Sequence, residues 1–314
     1  MNKLQSNTND LIVILGTGGT IAGTSADAAD NVGYTAGQLS VASLLAAIPQ
    51  LAGRKLEAEQ VAQLDSKDMD FATWQRLAQA TARQLARPEV KGVVITHGTD
   101  TLEETAYFLQ RVLAPTKPVV LTAAMRPASA LVPDGPQNLV DAVAVAAQAD
   151  ACGVCVALAG RVHDPVQVQK AHSYRVDAFR SRDEAVLAVV EEGAVRRLGA
   201  WPAGQPLGLS RIACDTLAWP KVQIVMNHVG ADGSVVRALL AQGVAGLVVA
   251  GTGNGTLAQD LEQALLQAQA QGVRVLRSSR CDAGPVMENE SGLPSAGALS
   301  AVKARVELIL QLLA

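Results

Sequence analysis

Short apolar runs rich in Val and Ile recur along the chain, separated by longer segments in which apolar residues return every three or four positions. The short runs predict strands at 11–15, 56–64, 92–96, 119–123, 154–159, 222–227, 246–250 and 273–276, with helices between them. Such alternation marks mostly parallel sheets flanked by helices. The strongest helix signals are DFATWQRLAQATARQLA (70–86), with Asp70 placed to cap, and TLEETAYFLQRVL (101–113), where Thr101 and Glu104 have capping-box spacing. PQNLVDAVAVAAQA (136–149) opens on a first-turn proline, and 256–271 and 300–313 supply two further helices. Between about 161 and 220 the alternation lapses, and LGAWPAGQPLGLSR reads as a connector. The expectation is two α/β domains: a larger one over 1–195, a linker over 196–219 and a smaller one over 220–314.

Composition narrows the function more than the fold. Hydrophobic residues make up 49% of the 314 positions but aromatics only 3%, so the core is expected to be built from aliphatic side chains. The formal net charge is only -3 and Lys and Arg are scattered. This argues against nucleic acid or an anionic membrane as partner and favours a small molecule. The opening MNKLQSNTND is polar and the apolar run after it ends at Leu15, too short for a signal-peptide core or a membrane span, so cytoplasmic residence is expected. With no secretion signal, the four cysteines at 152, 155, 214 and 281 are expected as thiols. Cys152 and Cys155 form a C-x-x-C, but its context, DACGVCVALAG, reads as a strand whose alternating faces separate the pair. The four histidines (97, 163, 172, 228) lack metal-ligand spacing, so neither a metal nor a cofactor is expected.

Candidate chemistry lies in two loops that follow predicted strands. In ILGTGGTIAGT (14–24) a dinucleotide fingerprint fails, because counting from Gly16 places Ile21 where the third glycine belongs, and no lysine completes a phosphate loop. Glycines there do allow a ligand close to the backbone, and their N–H groups can stabilise an oxyanion. A threonine in such a loop is a candidate nucleophile, although a turn-forming threonine is the commoner case. In VVITHGTDTLEETAYFL (93–109), Thr99 and Asp100 stand at the carboxyl end of a buried strand, where ligands of open α/β sheets bind. Asp100 suits either a helix cap or an acceptor for a substrate ammonium group. Tyr34 and Lys170 are candidate proton handlers, each more often a surface side chain when met alone.

Together the two loops resemble the paired motifs of bacterial-type L-asparaginases, including glutaminase-asparaginases. KPVVLTAAMRP, DGPQNLVDAV, VVAGTGNGTL and VRVLRSSR extend the resemblance over nearly the whole chain, and TLEETAYFL is closer to the type II branch than to type I. The resemblance implies hydrolysis of L-asparagine to L-aspartate and ammonia through a threonine acyl-enzyme. Thr20 matches the nucleophile, Tyr34 its hydrogen-bonding partner on a mobile loop, and Thr99, Lys170 and Asp100 a hydrogen-bonded triad. Ser66 and Asp100 match the groups that hold the substrate's carboxylate and amine, Ala124 a contact of the scissile amide, and Gly19 and Thr99 the backbone oxyanion donors. Asn254 matches a residue that reaches a neighbouring subunit's site, which implies an active site shared across a dimer and a homotetramer built from two dimers. Two positions depart from the family pattern: Lys67 replaces a substrate-contacting Gln, and the segment 281–297 is short, so that Glu288 and Glu290 both remain candidates for the acidic group reaching the substrate amine from the partner. A broader glutaminase-asparaginase, an amidase for another small amide and a non-catalytic amino-acid sensor are the alternatives.

Overall fold

The computed structural model describes residues 11–184 and 186–313, and the chain divides into two compact units, 1–209 and 210–314. The division falls inside the span expected as linker.

In the first unit, β1 (Leu11–Gly18) is followed by α1 (Val41–Ala46), β2 (Leu56–Leu64), α2 (Phe71–Leu85), β3 (Val90–Thr96), α3 (Leu102–Leu113), β4 (Val119–Thr122), α4 (Gly135–Ala146) and β5 (Val154–Leu158). Then come β6 (Arg161–His163), β7 (Val168–Lys170), β8 (Phe179–Ser181), β9 (Ala188–Glu191) and β10 (Ala194–Arg197). Eight strands form one sheet in the order β10-β9-β6-β5-β4-β3-β1-β2, while β7 and β8 pair separately. Strands β1 to β5 are parallel; β6, β9 and β10 extend the sheet antiparallel.

The continuous apolar runs of β1, β3, β4 and β5 arise because helices cover both faces of these strands. On one side, alternate residues Ile12, Ile14, Val94, Val120 and Cys155 join Leu139 and Val143 of α4 in a single buried cluster. On α2, Trp74, Leu77, Ala78 and Thr81 form the buried stripe, and the helix begins where Asp70 accepts a hydrogen bond from the Thr73 amide at 2.7 Å. The Trp74 ring stacks on Phe108 of α3, with centroids 4.7 Å apart.

Two local expectations need correction. Thr101 does stand at the head of α3, but its side chain makes no cap; its hydroxyl donates instead to the Ser66 carbonyl at 2.8 Å, so the capping box does not form. Only Cys155 of the C-x-x-C lies on a strand. Cys152 precedes β5, and both thiols are free.

The second unit consists of β11 (Val222–Met226), α5 (Ser234–Ala241), β12 (Gly246–Gly251), α6 (Gln259–Ala270), β13 (Arg274–Ser279) and α7 (Ala301–Leu312). Its three strands are parallel in the order β11-β12-β13. Among the described residues, no helix is long and apolar enough to cross a membrane.

Candidate active site

Strand order places the site. The chain leaves β1 to form β2 on one side and then returns to form β3 on the other, so the loops after β1 and β3 part at the point where the winding reverses. That is where an open α/β sheet has its natural ligand crevice. The loop after β1 carries Thr20 and the loop after β3 carries Thr99, and their backbones touch. A Cβ built on Gly19 would lie 2.4 Å from both Cα and N of Gly98, and one built on Gly98 would lie 2.5 Å from the Ser66 Oγ. Gly19 also has φ of 79°, so glycine is required there on two separate grounds. Farther back, the Thr17 hydroxyl donates to the Thr96 carbonyl at 2.9 Å, tying the ends of β1 and β3 together.

Thr20 and Thr99 are almost buried, 6% and 5% exposed. The Thr20 Oγ1 lies 2.6 Å from the Tyr34 hydroxyl. Tyr34 reaches it from a loop held by paired Thr24 and Thr35 backbones, and its ring crosses Gly23, where a Cβ would approach Cδ2 to 2.8 Å. Lys170, the last residue of β7, donates from Nζ to the Thr99 Oγ1 at 2.8 Å and to the Asp100 Oδ1 at 2.6 Å. The Lys170 side chain is 19% exposed and that of Asp100 50%, so the pair spans the boundary between interior and opening. The Lys170 amide in turn donates to Glu103 Oε1 of α3 at 3.2 Å.

Ser66 follows β2 and is buried; its Oγ accepts from the Asp100 amide at 3.1 Å. Lys67, beside it, points its exposed ammonium at Asp65 Oδ2, 2.8 Å away. That hydrogen bond raises the Lys67 pKa, with smaller contributions from Asp68 and Asp100. Ala124 is fully buried after β4, clustered with Ile21, Ala22 and Leu44. The Gly19 amide donates to the Leu64 carbonyl at 2.8 Å, whereas the Thr20 and Thr99 amides donate to no acceptor among the described residues. The expected residues of the first unit therefore converge on one crevice, with Ser66 and Ala124 sealed in its wall.

The remaining expected residues belong to the second unit. The Asn254 Oδ1 accepts from the Met287 amide at 2.7 Å, and Glu288 Oε1 accepts from the Ser295 amide at 3.1 Å. Glu290 is exposed.

A support that the sequence did not disclose lies behind Thr99. His97 is fully buried, and its Nδ1 lies 2.7 Å from the Gly98 carbonyl, which can only accept; Nδ1 therefore carries the proton. Its Nε2 then accepts from Thr105, 3.0 Å away, whose oxygen receives the Trp74 Nε1–H at 2.8 Å. Burial pushes the His97 pKa down to about 4, in keeping with this neutral ring. The chain of bonds fixes the loop on which Thr99 and Asp100 stand. Only the spacing of His97 and Thr105 across the β3–α3 junction hinted at it.

Comparison with known proteins shows the family. The family model described as Asparaginase, N-terminal matches residues 11–201, and that described as Glutaminase/Asparaginase C-terminal domain matches 221–314. The chain is 37% identical to L-asparaginase 2 of Escherichia coli (strain K12), over 96% of this chain and 88% of that protein. It is 36% identical to the glutaminase-asparaginase of Pseudomonas fluorescens biotype A, over 87% of this chain and 76% of that one. A crystal structure of a probable cytoplasmic L-asparaginase from Campylobacter jejuni shares 39% identity and a TM-score of 0.90, covering 96% of this chain and 94% of that chain.

Proposed function

The chain belongs to the asparaginase family of hydrolases, and from that premise we propose that it converts L-asparagine to L-aspartate and ammonia with Thr20 as nucleophile. The observation that carries this reading is a pair of nearly buried threonine hydroxyls at one crevice, each joined to a side chain able to move a proton.

In the proposed reaction, the Thr20 Oγ attacks the side-chain amide carbon as its proton passes to a neighbouring hydroxyl oxygen, which gives up its own proton in turn toward the amide nitrogen. Tyr34 lies closest for this role, and the Lys170–Thr99 pair offers the second route. Negative charge that develops on the carbonyl oxygen needs donors fixed in advance. The Thr99 amide is uncommitted, and so is that of Thr20; the Gly19 amide would have to be shared with Leu64. The C–N bond breaks as the nitrogen takes up the proton and leaves as ammonia. Water then cleaves the β-aspartyl ester, returning the Thr20 hydroxyl and releasing a carboxylate. The Asp100 Oδ1 is held by Lys170, and its carboxylate stays half-exposed to receive the substrate ammonium group. Ser66 and Lys67 stand next to that position for the α-carboxylate, which requires Lys67 to exchange Asp65 for the substrate. These steps use only groups of the chain, without metal or cofactor.

Asn254 and an acidic residue of the 281–297 segment are proposed to complete a neighbouring subunit's site in a homotetramer, with Glu290 favoured because Glu288 already accepts from Ser295. A cytoplasmic location is proposed, as for the probable cytoplasmic L-asparaginase of Campylobacter jejuni. Parallel steady-state ammonia assays with L-asparagine and L-glutamine test the reading. Preferential turnover of asparagine supports it, comparable turnover of both substrates gives a glutaminase-asparaginase, and saturable aspartate binding without turnover identifies a sensor.

A further inference from the structure

Arg277 of the second unit lies within β13, paired with Val249 of β12, and is 1% exposed. Its acceptors among the described residues are main-chain carbonyls rather than a carboxylate. Nη1 donates to Asn254 at 2.7 Å, Nη2 to Met287 at 2.9 Å and Nε to Leu293 at 3.4 Å. Burying a guanidinium is costly even when its donors are matched, and an apolar side chain of similar volume would serve packing at least as well. What an apolar residue cannot do is join two separate segments through their carbonyls.

Those segments carry the residues assigned above to a neighbouring subunit's site. Asn254 stands at the centre of a turn closed by the paired Thr252 and Thr256 backbones. The turn folds onto the Arg277 stem so closely that a Cβ on Gly255 would lie 2.9 Å from Nη1 and 3.0 Å from Cγ. The other segment crosses the Arg277 backbone, whose amide donates to the Pro294 carbonyl at 2.8 Å and whose carbonyl accepts the Ala296 amide at 2.9 Å. Between its anchors at Met287 and Leu293, this segment presents Glu288 and Glu290, both exposed. A planar fork holds carbonyls in different directions at once, a geometry that the single ammonium of a lysine does not reproduce.

We propose that Arg277 is a positioning residue of the active site: its guanidinium locks the Asn254 turn to the 287–293 segment, so that an exposed acid of that segment meets the α-amine of substrate bound at a neighbouring subunit. This role rests on the shared-site reading given above. Isothermal titration of the full chain compares L-aspartate with succinate, which is aspartate without its amine, in the wild type, Arg277→Lys, Arg277→Met and the double variant Glu288→Gln/Glu290→Gln. The wild type should bind aspartate about tenfold or more tightly than succinate, because the amine gains charge-assisted bonds. Arg277→Lys should narrow that preference about fivefold or more while moving the succinate Kd less than about threefold, and the double variant should do the same. Arg277→Met, which removes all three bonds, should narrow it at least as far; where it does not fold, Arg277→Lys, which keeps the charge, carries the comparison. Equal weakening of both ligands by Arg277→Lys marks a merely structural arginine and overturns the role. So does a wild-type preference in Arg277→Lys when the double variant has lost it. A preference untouched by the double variant overturns the shared-site reading itself, and the role of Arg277 with it.

Discussion

Replacing Lys170 with Met separates a catalytic role for this ammonium from a structural one. The substitution keeps the length and apolar stem of the side chain, so packing should cost less than about 1.5 kcal/mol. It removes two hydrogen bonds, to Thr99 at 2.8 Å and to Asp100 at 2.6 Å. Because Asp100 is half-exposed, its ion pair is worth about 1 kcal/mol or less. The bond to the buried Thr99 hydroxyl contributes more, about 1.5 to 3 kcal/mol if it is charge-assisted. The summed loss, at most about 5.5 kcal/mol, should lower Tm by no more than roughly 20 °C in a unit of this size. Loss of a positioned proton carrier, by contrast, should lower kcat by about 10² to 10⁴. KM should change by less than about threefold, because the Asp100 carboxylate remains to hold substrate, and uniform binding is what KM reports. Steady-state ammonia release across pH, alongside a melting curve, reads all three quantities. A kcat within a few-fold of wild type, or a pH-rate profile that superimposes on it, would remove Lys170 from the mechanism.

Other perturbations probe Tyr34, Gly19 and His97 separately. Tyr34→Phe deletes the hydroxyl 2.6 Å from Thr20 and should cost about 10² or more in kcat with little change in Tm, checked by the same assay and by calorimetry. Gly19→Ala forces a Cβ to 2.4 Å from Gly98 at a φ of 79°; we expect about 2 kcal/mol or more of destabilisation and collapse of turnover, measured by urea denaturation and kinetics. The His97 pKa lies below its unfolded value, so above about pH 6.5 the ring is neutral in both states and costs nothing. As pH falls from about 6.5 toward 4, the unfolded chain takes up a proton that the folded protein refuses, and stability drops by up to roughly 3 kcal/mol. Denaturation midpoints of wild type and His97→Asn over that window should therefore converge as pH falls, and parallel curves would count against the buried neutral ring.

What the sequence disclosed follows from how each segment is buried. Strands β1, β3, β4 and β5 have helices on both faces, so their apolar runs stand out whatever surrounds them, and their loops could be placed at strand ends. The antiparallel extension leaves no clear mark in the sequence because β6 has only three residues, and β9 and β10 leave Glu191, Ala194, Arg196 and Arg197 exposed, which breaks any periodic signal. Helices α1 and α5 are too short to repeat an apolar stripe convincingly. At Thr101 the local capping pattern lost to a tertiary one, because the Ser66 carbonyl came within reach of the same hydroxyl. Within the site, Thr20, Thr99, Asp100 and Lys170 were recognisable from two motifs and one distant lysine. Their dependence on the His97–Thr105–Trp74 chain was not, since 31 positions separate Trp74 from Thr105 and no local pattern links them.

In the proposed reaction the Thr20 hydroxyl performs the attack. Its most direct test is ammonia release from L-asparagine by purified Thr20→Ala, with folding verified by an unchanged near-UV spectrum and melting transition. Turnover should fall by about 10³ or more, the order of loss when an acyl-enzyme nucleophile is removed, while aspartate still binds. Ammonia release near the wild-type rate would contradict it and assign the attack to another group.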